Sequence, residues 1–258
     1  MLAYRNIILT VLIGSLLIIA ICWATSYLDI WLVLILVILN FGVIIAGSFI
    51  VCSGLYLKVL CSGKLSEKKI VLSFDDGPNS TITPKVLDLL EEFEVKATFF
   101  LIGKNIRGNE QLVKRIVDEG HLIGNHSFSH SRFFGFLSTK KILRELEETN
   151  RLIEELVGKK SSIFRPPFGV TNPNIAKAVR TLDYTAIGWN IRSLDGVKKN
   201  NTRTILRVLK RLRPGGIILF HDTHREIIEI LDTVIQKAQK EGYEFVPLNE
   251  LINIKTTL

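Results

Sequence analysis

Two pairs of side chains in this sequence have the types and spacing of a catalytic metal site. Asp75 and Asp76 are adjacent, and they lie between the strand-like run 69–72 and a Gly-Pro turn, so both are expected at a loop mouth. His126 and His130 are four residues apart, and at one helical turn both imidazoles can reach one ion. Two histidines and one carboxylate leave open positions on the ion, as catalysis requires. Each pair alone also fits a solvated turn or packed histidines, but the combination favours a metal site.

Two further residues at predicted strand ends are candidates for acid–base chemistry. Arg165 is followed by two prolines, which hold the backbone extended and fix the direction of the side chain, so its guanidinium can anchor a carboxylate. His221 ends the glycine-led apolar run 216–220, at the same end of the predicted sheet as the other candidates. The alternatives are a structural bend with a surface arginine and a structural histidine. The shared location favours a general acid or base role for His221.

The elements that must position these residues alternate between strand and helix. Short apolar runs predict strands over residues 69–72, 97–102, 120–124, 163–165, 185–190, 216–220 and 245–247. Apolar periodicity and capping residues predict helices over residues 83–93, 110–119, 138–158, 173–181, 202–212 and 226–240. This alternation predicts an α/β fold with a parallel sheet, and functional residues at strand ends favour a barrel of about seven parallel strands.

The N-terminal part of the chain is predicted to be a membrane anchor. Residues 7–57 contain Asp29 as their only charge, and one helix of that length would far exceed a hydrocarbon core of about 30 Å. Two transmembrane helices, over about 7–28 and 30–57, fit better. A cleaved signal peptide has a shorter apolar region, of about 7 to 15 residues. With a linker that starts at Lys58, the anchor is assigned to residues 1–63 and the catalytic domain to 64–258.

Charge and cysteine content limit the partners. The 33 Lys and Arg residues exceed the 25 Asp and Glu residues by 8, which suits an anionic membrane surface or a phosphorylated substrate. Nucleic acid is not expected as a partner, because the basic residues are scattered and not gathered with aromatic residues. Cys22, Cys52 and Cys61 lie in or beside the predicted spans, so the soluble part is expected to need no disulfide and its redox compartment is not indicated.

The flanking charges predict which side of the membrane the domain occupies. Arg5 lies before the first span, and Lys58, Lys64, Lys68 and Lys69 follow the second. Because positive flanks favour the cytoplasmic side, the domain is expected to face inward from the cell membrane.

Together these motifs resemble the polysaccharide deacetylase family, the NodB homology domain of carbohydrate esterase family 4, over about residues 69–250. The resemblance implies a distorted (β/α) barrel and metal-dependent hydrolysis of N-acetyl groups on the amino sugars of a glycan, such as peptidoglycan, a chitin-like polymer or a lipid-linked saccharide. Matched motif by motif, it implies a general base at Asp75, metal ligands at Asp76, His126 and His130, a base-orienting arginine at Arg165, a general acid at His221 and its acidic partner at Asp195. It also implies an oxyanion-binding backbone N–H near Phe168.

Several points stay open in the sequence. The metal is a divalent ion, and two histidines and a carboxylate suit zinc, cobalt, nickel or iron. Arg192 stands where the family usually has an aspartate, and Gly196 where a tryptophan often follows the acid. Arg192 is predicted to contact an anionic part of the substrate, with a solvent-facing arginine as the alternative. An O-acetyl esterase using the same site and a catalytically silent, membrane-tethered glycan-binding protein are the rival functions.

Overall fold

A single parallel sheet organises the chain. The computed structural model describes residues 2–25, 30–63, 67–196 and 200–252, and within them nine strands form this sheet. The strands are β1 (Val59–Leu60), β2 (Lys69–Asp75), β3 (Ala97–Leu101), β4 (Leu122–Asn125), β5 (Ile163–Phe164), β6 (Thr185–Ile187), β7 (Ile191–Arg192), β8 (Gly216–His221) and β9 (Glu244–Phe245). Their order is β1-β6-β5-β4-β3-β2-β8-β7, and β9 pairs with the start of β2. Every ladder between these strands is parallel.

Ten α-helices accompany the sheet in the described ranges. They are α1 (Leu2–Ala24), α2 (Ile30–Phe49), α3 (Thr83–Glu92), α4 (Gly103–Ile106), α5 (Glu110–Asp118), α6 (Thr139–Val157), α7 (Pro173–Thr181), α8 (Asn201–Leu209), α9 (Ile227–Lys240) and α10 (Leu248–Leu251). Each of the six helices predicted for the soluble part is present. The predicted α/β fold is confirmed as an incompletely closed barrel, since β1 and β7 are the two ends of the strand order. These two-residue strands were not predicted.

Strand alternation separates the outer core from the barrel interior. Ile70, Leu72 and Phe74 of β2 pack in the cluster that contains the apolar residues of α3 and α9. Val71 faces the other way, into a cluster with residues of β3, β6 and β8. Because side chains two apart share a face, Asp75 lies on the interior face with Val71. It is paired in register with His221 on β8, so both reach the mouth formed by the carboxyl ends of the strands.

The two N-terminal helices pack against each other. Asn40 of α2 donates a hydrogen bond from Nδ2 to Ser15 Oγ of α1, at 2.8 Å. In the described part of the chain one helix, α2, is long and apolar enough to cross a membrane by length and composition, whereas the apolar stretch Leu9–Ala24 of α1 is shorter. The second span was predicted to extend to residue 57, but α2 ends at Phe49. Val51 and Leu57 are instead buried, because they pack on the domain that contains the sheet.

The segment after α2 pairs with the sheet and contains a disulfide. β1 pairs with β6, and Ser62 forms a bridge with Gly216, so residues expected in a linker pack on the sheet. A disulfide joins Cys52 to Cys61, with Cα atoms 6.0 Å apart. The expectation that the soluble part needs no disulfide overlooked this pair, which lies beside the sheet and not in α1 or α2.

Candidate active site

The carboxylate of Asp75 is held by a fully buried arginine. Arg165 follows β5, and its Nη1 donates to Asp75 Oδ1 at 2.8 Å and to Ser73 Oγ at 2.9 Å, while Nη2 donates to the Gly188 carbonyl at 2.9 Å. Burial lowers the pKa of Arg165, and the neighbouring Asp75 carboxylate opposes that shift. The guanidinium carbon also lies 4.0 Å from the centre of the Phe100 ring. These contacts orient the Asp75 carboxylate so that its other oxygen, Oδ2, faces His126. The distance from Oδ2 to His126 Nε2 is 3.7 Å.

Asp76, His126 and His130 converge on one point. Asp76 adopts a left-handed backbone (φ 73°), which turns its side chain out of the strand pattern. Its Oδ1 lies 3.6 Å from His126 Nε2 and 3.4 Å from His130 Nε2. This oxygen is buried and has no hydrogen-bond donor among the residues that the structure describes. An orphaned carboxylate oxygen facing two imidazole nitrogens fits a divalent metal ion, and these three ligand atoms lie within 4.8 Å of one another.

The protonation of both histidines suits metal binding. His126 Nδ1 lies 2.8 Å from the Arg165 carbonyl oxygen, which can only accept, so Nδ1 carries the proton and Nε2 offers a lone pair. Burial, aided by the nearby His130, lowers the pKa of His126 to about 3. Burial also lowers the pKa of His130. Both imidazoles are therefore neutral at neutral pH, as ligation requires.

The loop that carries the two histidines is not helical. The prediction of a helical turn between His126 and His130 is wrong, because the backbone is left-handed at Ser127 (φ 64°) and His130 (φ 47°). Glu145 of α6 holds the loop instead, since its Oε2 accepts from the backbone N–H groups of Phe128 at 3.1 Å and Ser129 at 2.7 Å. Glu145 was missed in the sequence because it looks like any other acid on an amphipathic helix.

A second group of residues surrounds His221. Its Nδ1 donates to Asp195 Oδ1 at 2.9 Å, its backbone N–H donates to Asp195 Oδ2 at 2.8 Å, and His224 Nε2 lies 3.1 Å from the same Oδ2. Burial opposes ionisation of Asp195, but the hydrogen bonds from both histidines hold its pKa well below the usual range. Burial also disfavours the charged form of His221, yet the contact with Asp195 raises its pKa to about 9. His221 is thus protonated at neutral pH, and His224 is a partner that the sequence did not indicate.

Asp222 is a second carboxylate that sequence reasoning left without a role. It is fully buried behind the Asp-Asp turn, where an added Cβ on Gly77 would lie 2.5 Å from its Oδ2. The Thr83 hydroxyl donates to this oxygen. Burial raises the pKa of Asp222 to about 7. In the sequence, only its position directly after His221 indicated that Asp222 lies near the site. In the structure Asp222 packs against Gly77 and so supports the Asp-Asp turn.

Phe168 and Arg192 lie at the edge of the site. Phe168 has a left-handed backbone (φ 59°), its side chain is 53% exposed, and its ring centre lies 4.6 Å from that of His130. Arg192 is exposed on β7, outside the Asp75, Asp76 and His221 cluster, with its guanidinium carbon 5.8 Å from the Trp189 ring centre. Among the described residues, seven non-glycine residues have positive φ, and five of them belong to the loops of this mouth: Asp76, Ser127, His130, Phe168 and Leu194. Such strained positions concentrate at functional sites.

Comparison with known proteins places this site in a family. Residues 62–187 match the family described as polysaccharide deacetylase. The chain is 36% identical over 190 residues to the peptidoglycan-N-acetylglucosamine deacetylase PgdA of Listeria monocytogenes, a match that covers 74% of this chain and 40% of that protein. It is 37% identical over 198 residues to the peptidoglycan-N-acetylmuramic acid deacetylase PdaA of Bacillus subtilis, covering 74% of this chain and 73% of that protein. The match thus spans about two fifths of the Listeria relative.

Solved structures agree with this assignment. The Bc1960 peptidoglycan N-acetylglucosamine deacetylase superposes with a TM-score of 0.73 at 31% identity, covering 76% of this chain and 94% of that one. BA3943 of Bacillus anthracis, described as a pseudoenzyme of carbohydrate esterase family 4, superposes with a TM-score of 0.69 at 31% identity, covering 74% and 67%. The chain therefore belongs to the polysaccharide deacetylase family, carbohydrate esterase family 4.

Proposed function

We propose that this protein hydrolyses N-acetyl groups on the amino sugars of a glycan, with peptidoglycan as the first candidate substrate. The observation that carries the proposal is the arrangement of three functions around one mouth. Asp75 is oriented as a base, Asp76 with its two histidines fits a metal ion, and His221 is a protonated acid paired in register with Asp75. The names of the relatives, which are peptidoglycan deacetylases, support the choice of substrate.

Each residue of the site has a separate role in this reaction. Asp76, His126 and His130 would hold a divalent ion, which would supply Lewis acidity to polarise the acetamide carbonyl and to lower the pKa of a water. Asp75 takes a proton from the attacking water, with its orientation set by Arg165. When the C–N bond breaks, His221 gives its proton to the departing nitrogen, and Asp195 stabilises the imidazolium up to that point. The products are acetate and a free amine.

The oxyanion that forms during attack needs a donor beyond the metal site. We assign this role to a backbone N–H at Phe168, whose left-handed conformation sets the chain direction beside His130. This assignment rests on the family resemblance together with that position.

Acetate release tests the proposed reaction directly. The full chain, loaded with zinc or cobalt, is incubated with an N-acetylated chito-oligosaccharide, with peptidoglycan fragments, with a lipid-linked amino sugar and with an O-acetylated xylo-oligosaccharide. Acetate from the N-acetylated sugars, abolished by Asp75→Asn, is the expected result. Release only from the O-acetylated substrate would instead identify an esterase, since ester and amide pass through similar intermediates.

A catalytically silent glycan-binding protein is the second candidate. The structural similarity to the pseudoenzyme BA3943 favours it, because it shows that this fold occurs without activity. The complete set of base, metal ligands and acid favours an active enzyme. Binding of the same oligosaccharides without acetate release, in metal-loaded protein, would establish the silent alternative.

The N-terminal helices are proposed to anchor the enzyme in the cell membrane as a two-span hairpin. The length and apolarity of α2 support one span, and the Asn40–Ser15 contact supports a second helix packed against it. The disulfide between Cys52 and Cys61 favours an oxidising compartment, and hence the outer face of the membrane, where peptidoglycan lies. The positive flanks favour the opposite orientation, but large domains translocate largely regardless of charge.

Reporter fusions after Leu258 decide the orientation in intact cells. Alkaline phosphatase is active only outside, and green fluorescent protein folds well only inside. We expect an active phosphatase fusion and a dark fluorescent fusion. A bright fluorescent fusion with inactive phosphatase would return the domain to the cytoplasm and make a lipid-linked amino sugar the first candidate substrate.

A further inference from the structure

A basic cavity lies beside the C-terminal end of the predicted membrane helix, on the open side of the half-barrel. Its volume is about 720 Å³. Its lining includes Phe49 and Ile50, where α2 ends, and the Cys52–Cys61 disulfide. The lining also includes four arginines, and we call the cavity the arginine pocket after them: Arg192, Arg207, Arg211 and Arg213.

The charges of the arginine pocket are not neutralised by protein carboxylates. No aspartate or glutamate lines the cavity, and in the described ranges none of the four guanidinium groups forms an ion pair within 4.0 Å. Arg213 donates one hydrogen bond to the Asn190 carbonyl, at 3.2 Å. Four guanidinium groups without a carboxylate partner around one cavity match a phosphate group, which guanidinium binds in a bidentate manner.

The pocket is separate from the catalytic residues. The Trp189 ring lies between the two, with its centre 5.7 Å from the guanidinium carbon of Arg165 and 5.8 Å from that of Arg192. None of the base, acid or metal-binding residues lines the cavity. The arginine pocket is therefore available to a ligand other than the acetyl group.

The surroundings of the pocket have the character of a membrane interface. Phe49 is 67% exposed and Ile50 is 52% exposed, at the end of a helix of sufficient length to cross the hydrocarbon core. On α8, Leu206 is 47% exposed next to Arg207. The basic face continues along this helix in a second, smaller cavity, which adds Arg203 and Lys210. Apolar side chains beside arginines are the arrangement that places cations at the level of lipid phosphates.

We propose that the arginine pocket binds the phosphate group of an anionic membrane lipid. The four forks hold the phosphate, while Phe49, Ile50 and Leu206 contact the acyl region beside it. The proposal rests on the membrane anchor, not on the deacetylase reaction. Its consequence is that the domain is held with the open side of its half-barrel against the bilayer and does not rotate freely about its anchor.

Lipid retention by the full chain in a non-ionic detergent tests the proposal. Native mass spectrometry measures the binding of added phosphatidylglycerol and of phosphatidylcholine, which has no net charge. We expect phosphatidylglycerol to bind about tenfold more tightly or better, and Arg207→Gln/Arg211→Gln to remove that preference. Arg144→Gln/Arg151→Gln on α6, with the same loss of charge, is the matched control and should keep it. Equal binding of the two lipids, or equal loss in both double variants, would overturn the proposal.

Two further sets of measurements identify the source of the phosphate and test whether the variants are folded. Displacement of phosphatidylglycerol by equimolar inorganic phosphate would assign the pocket to a free anion and overturn the lipid proposal, as would displacement by an equimolar acidic muramyl saccharide. Arg192→Gln/Arg213→Gln removes the other two charges and must also lower the binding. Bound metal and the thermal unfolding midpoint of each variant show whether it is folded. Because the readout is lipid binding, its failure leaves the proposed reaction untouched.

Discussion

Arg165 contacts both the proposed base and a proposed metal ligand, because its side chain donates to Asp75 at 2.8 Å while its carbonyl accepts from His126 Nδ1 at 2.8 Å. The proline-rich segment after β5 thus sets the orientation of the carboxylate and the tautomer of the imidazole together. A shift of this one backbone segment would disturb two different functions. Rigid, fully buried support of this kind is what precise catalytic geometry requires.

The division of labour between the two aspartates predicts different losses on mutation. Asp76→Ala, His126→Ala and His130→Ala should each lose bound metal and turnover, because each removes one of three ligands. Asp75→Asn should keep the metal and lose turnover, because it removes only the base. Elemental analysis of the purified variants measures the metal. Loss of metal in Asp75→Asn with retention in Asp76→Ala would reverse the assignment.

The loop of the two histidines depends on a carboxylate from α6. Glu145→Ala removes the acceptor of two backbone N–H groups and of the Ser129 hydroxyl, so the loop loosens. We expect metal affinity to fall by about 10- to 100-fold, as for other residues that support ligands. Titration with a chelating dye measures this affinity. Glu154→Ala, an exposed acid of the same helix, is the control, and an equal effect in both variants would remove Glu145 from this role.

The pKa of His221, the proposed general acid, is expected to set the alkaline limb of the pH–rate profile. Its pKa is raised to about 9 by Asp195, so activity should fall as the pH rises through that value and the imidazole loses its proton. Asp195→Asn removes the charge that favours the imidazolium, and the limb should move about 1 to 3 pH units lower. Asp118→Asn, a surface change, should leave the limb in place. A limb that stays near pH 9 in Asp195→Asn would show that another group controls it.

The buried His121 is expected to make the stability of the fold sensitive to acid. It is buried, its Nδ1 accepts from the Ala97 backbone N–H at 3.1 Å, and burial, aided by the positive charges of Lys96 and Arg115, lowers its pKa to about 4. The unfolded state therefore takes up this proton first, and stability is lost as the pH falls from about 6.5 to about 4. The loss amounts to about 3 kcal/mol by linkage.

The variant His121→Asn keeps an acceptor near Nδ1 and cannot titrate. Its free energy of unfolding should therefore depend less steeply on pH over this interval than that of the natural chain. Chemical unfolding of the full chain in detergent, followed by circular dichroism at several pH values, measures the difference. Identical acid slopes for the two proteins would exclude His121 as the cause.

Much of this protein could be predicted from local sequence. The apolar residues after Lys69 predicted the first part of β2, over 69–72, and the stripe of α6 repeats every three to four residues, so local sequence indicates both elements. In the structure β2 continues to Asp75, beyond the predicted run. Asp75, His126, Arg165 and His221 lie at or directly after strand ends, where a polar side chain after an apolar run is visible without any structure. β1 and β7 were not predicted, because β1 lies in the segment interpreted as a linker and β7 follows directly on the predicted strand 185–190, which ends at Ile187 in the structure.

Contacts between distant segments were decided only by the tertiary structure. Glu145 reaches the histidine loop, His224 reaches Asp195, and Cys52 meets Cys61 because the path of the chain brings them together. The same holds for the arginine pocket, where a strand, a helix end and a loop bring four arginines to the end of α2. Local pattern governs the backbone state of a segment, but which side chains share a surface depends on the order of strands and the packing of helices, and no local pattern encodes either.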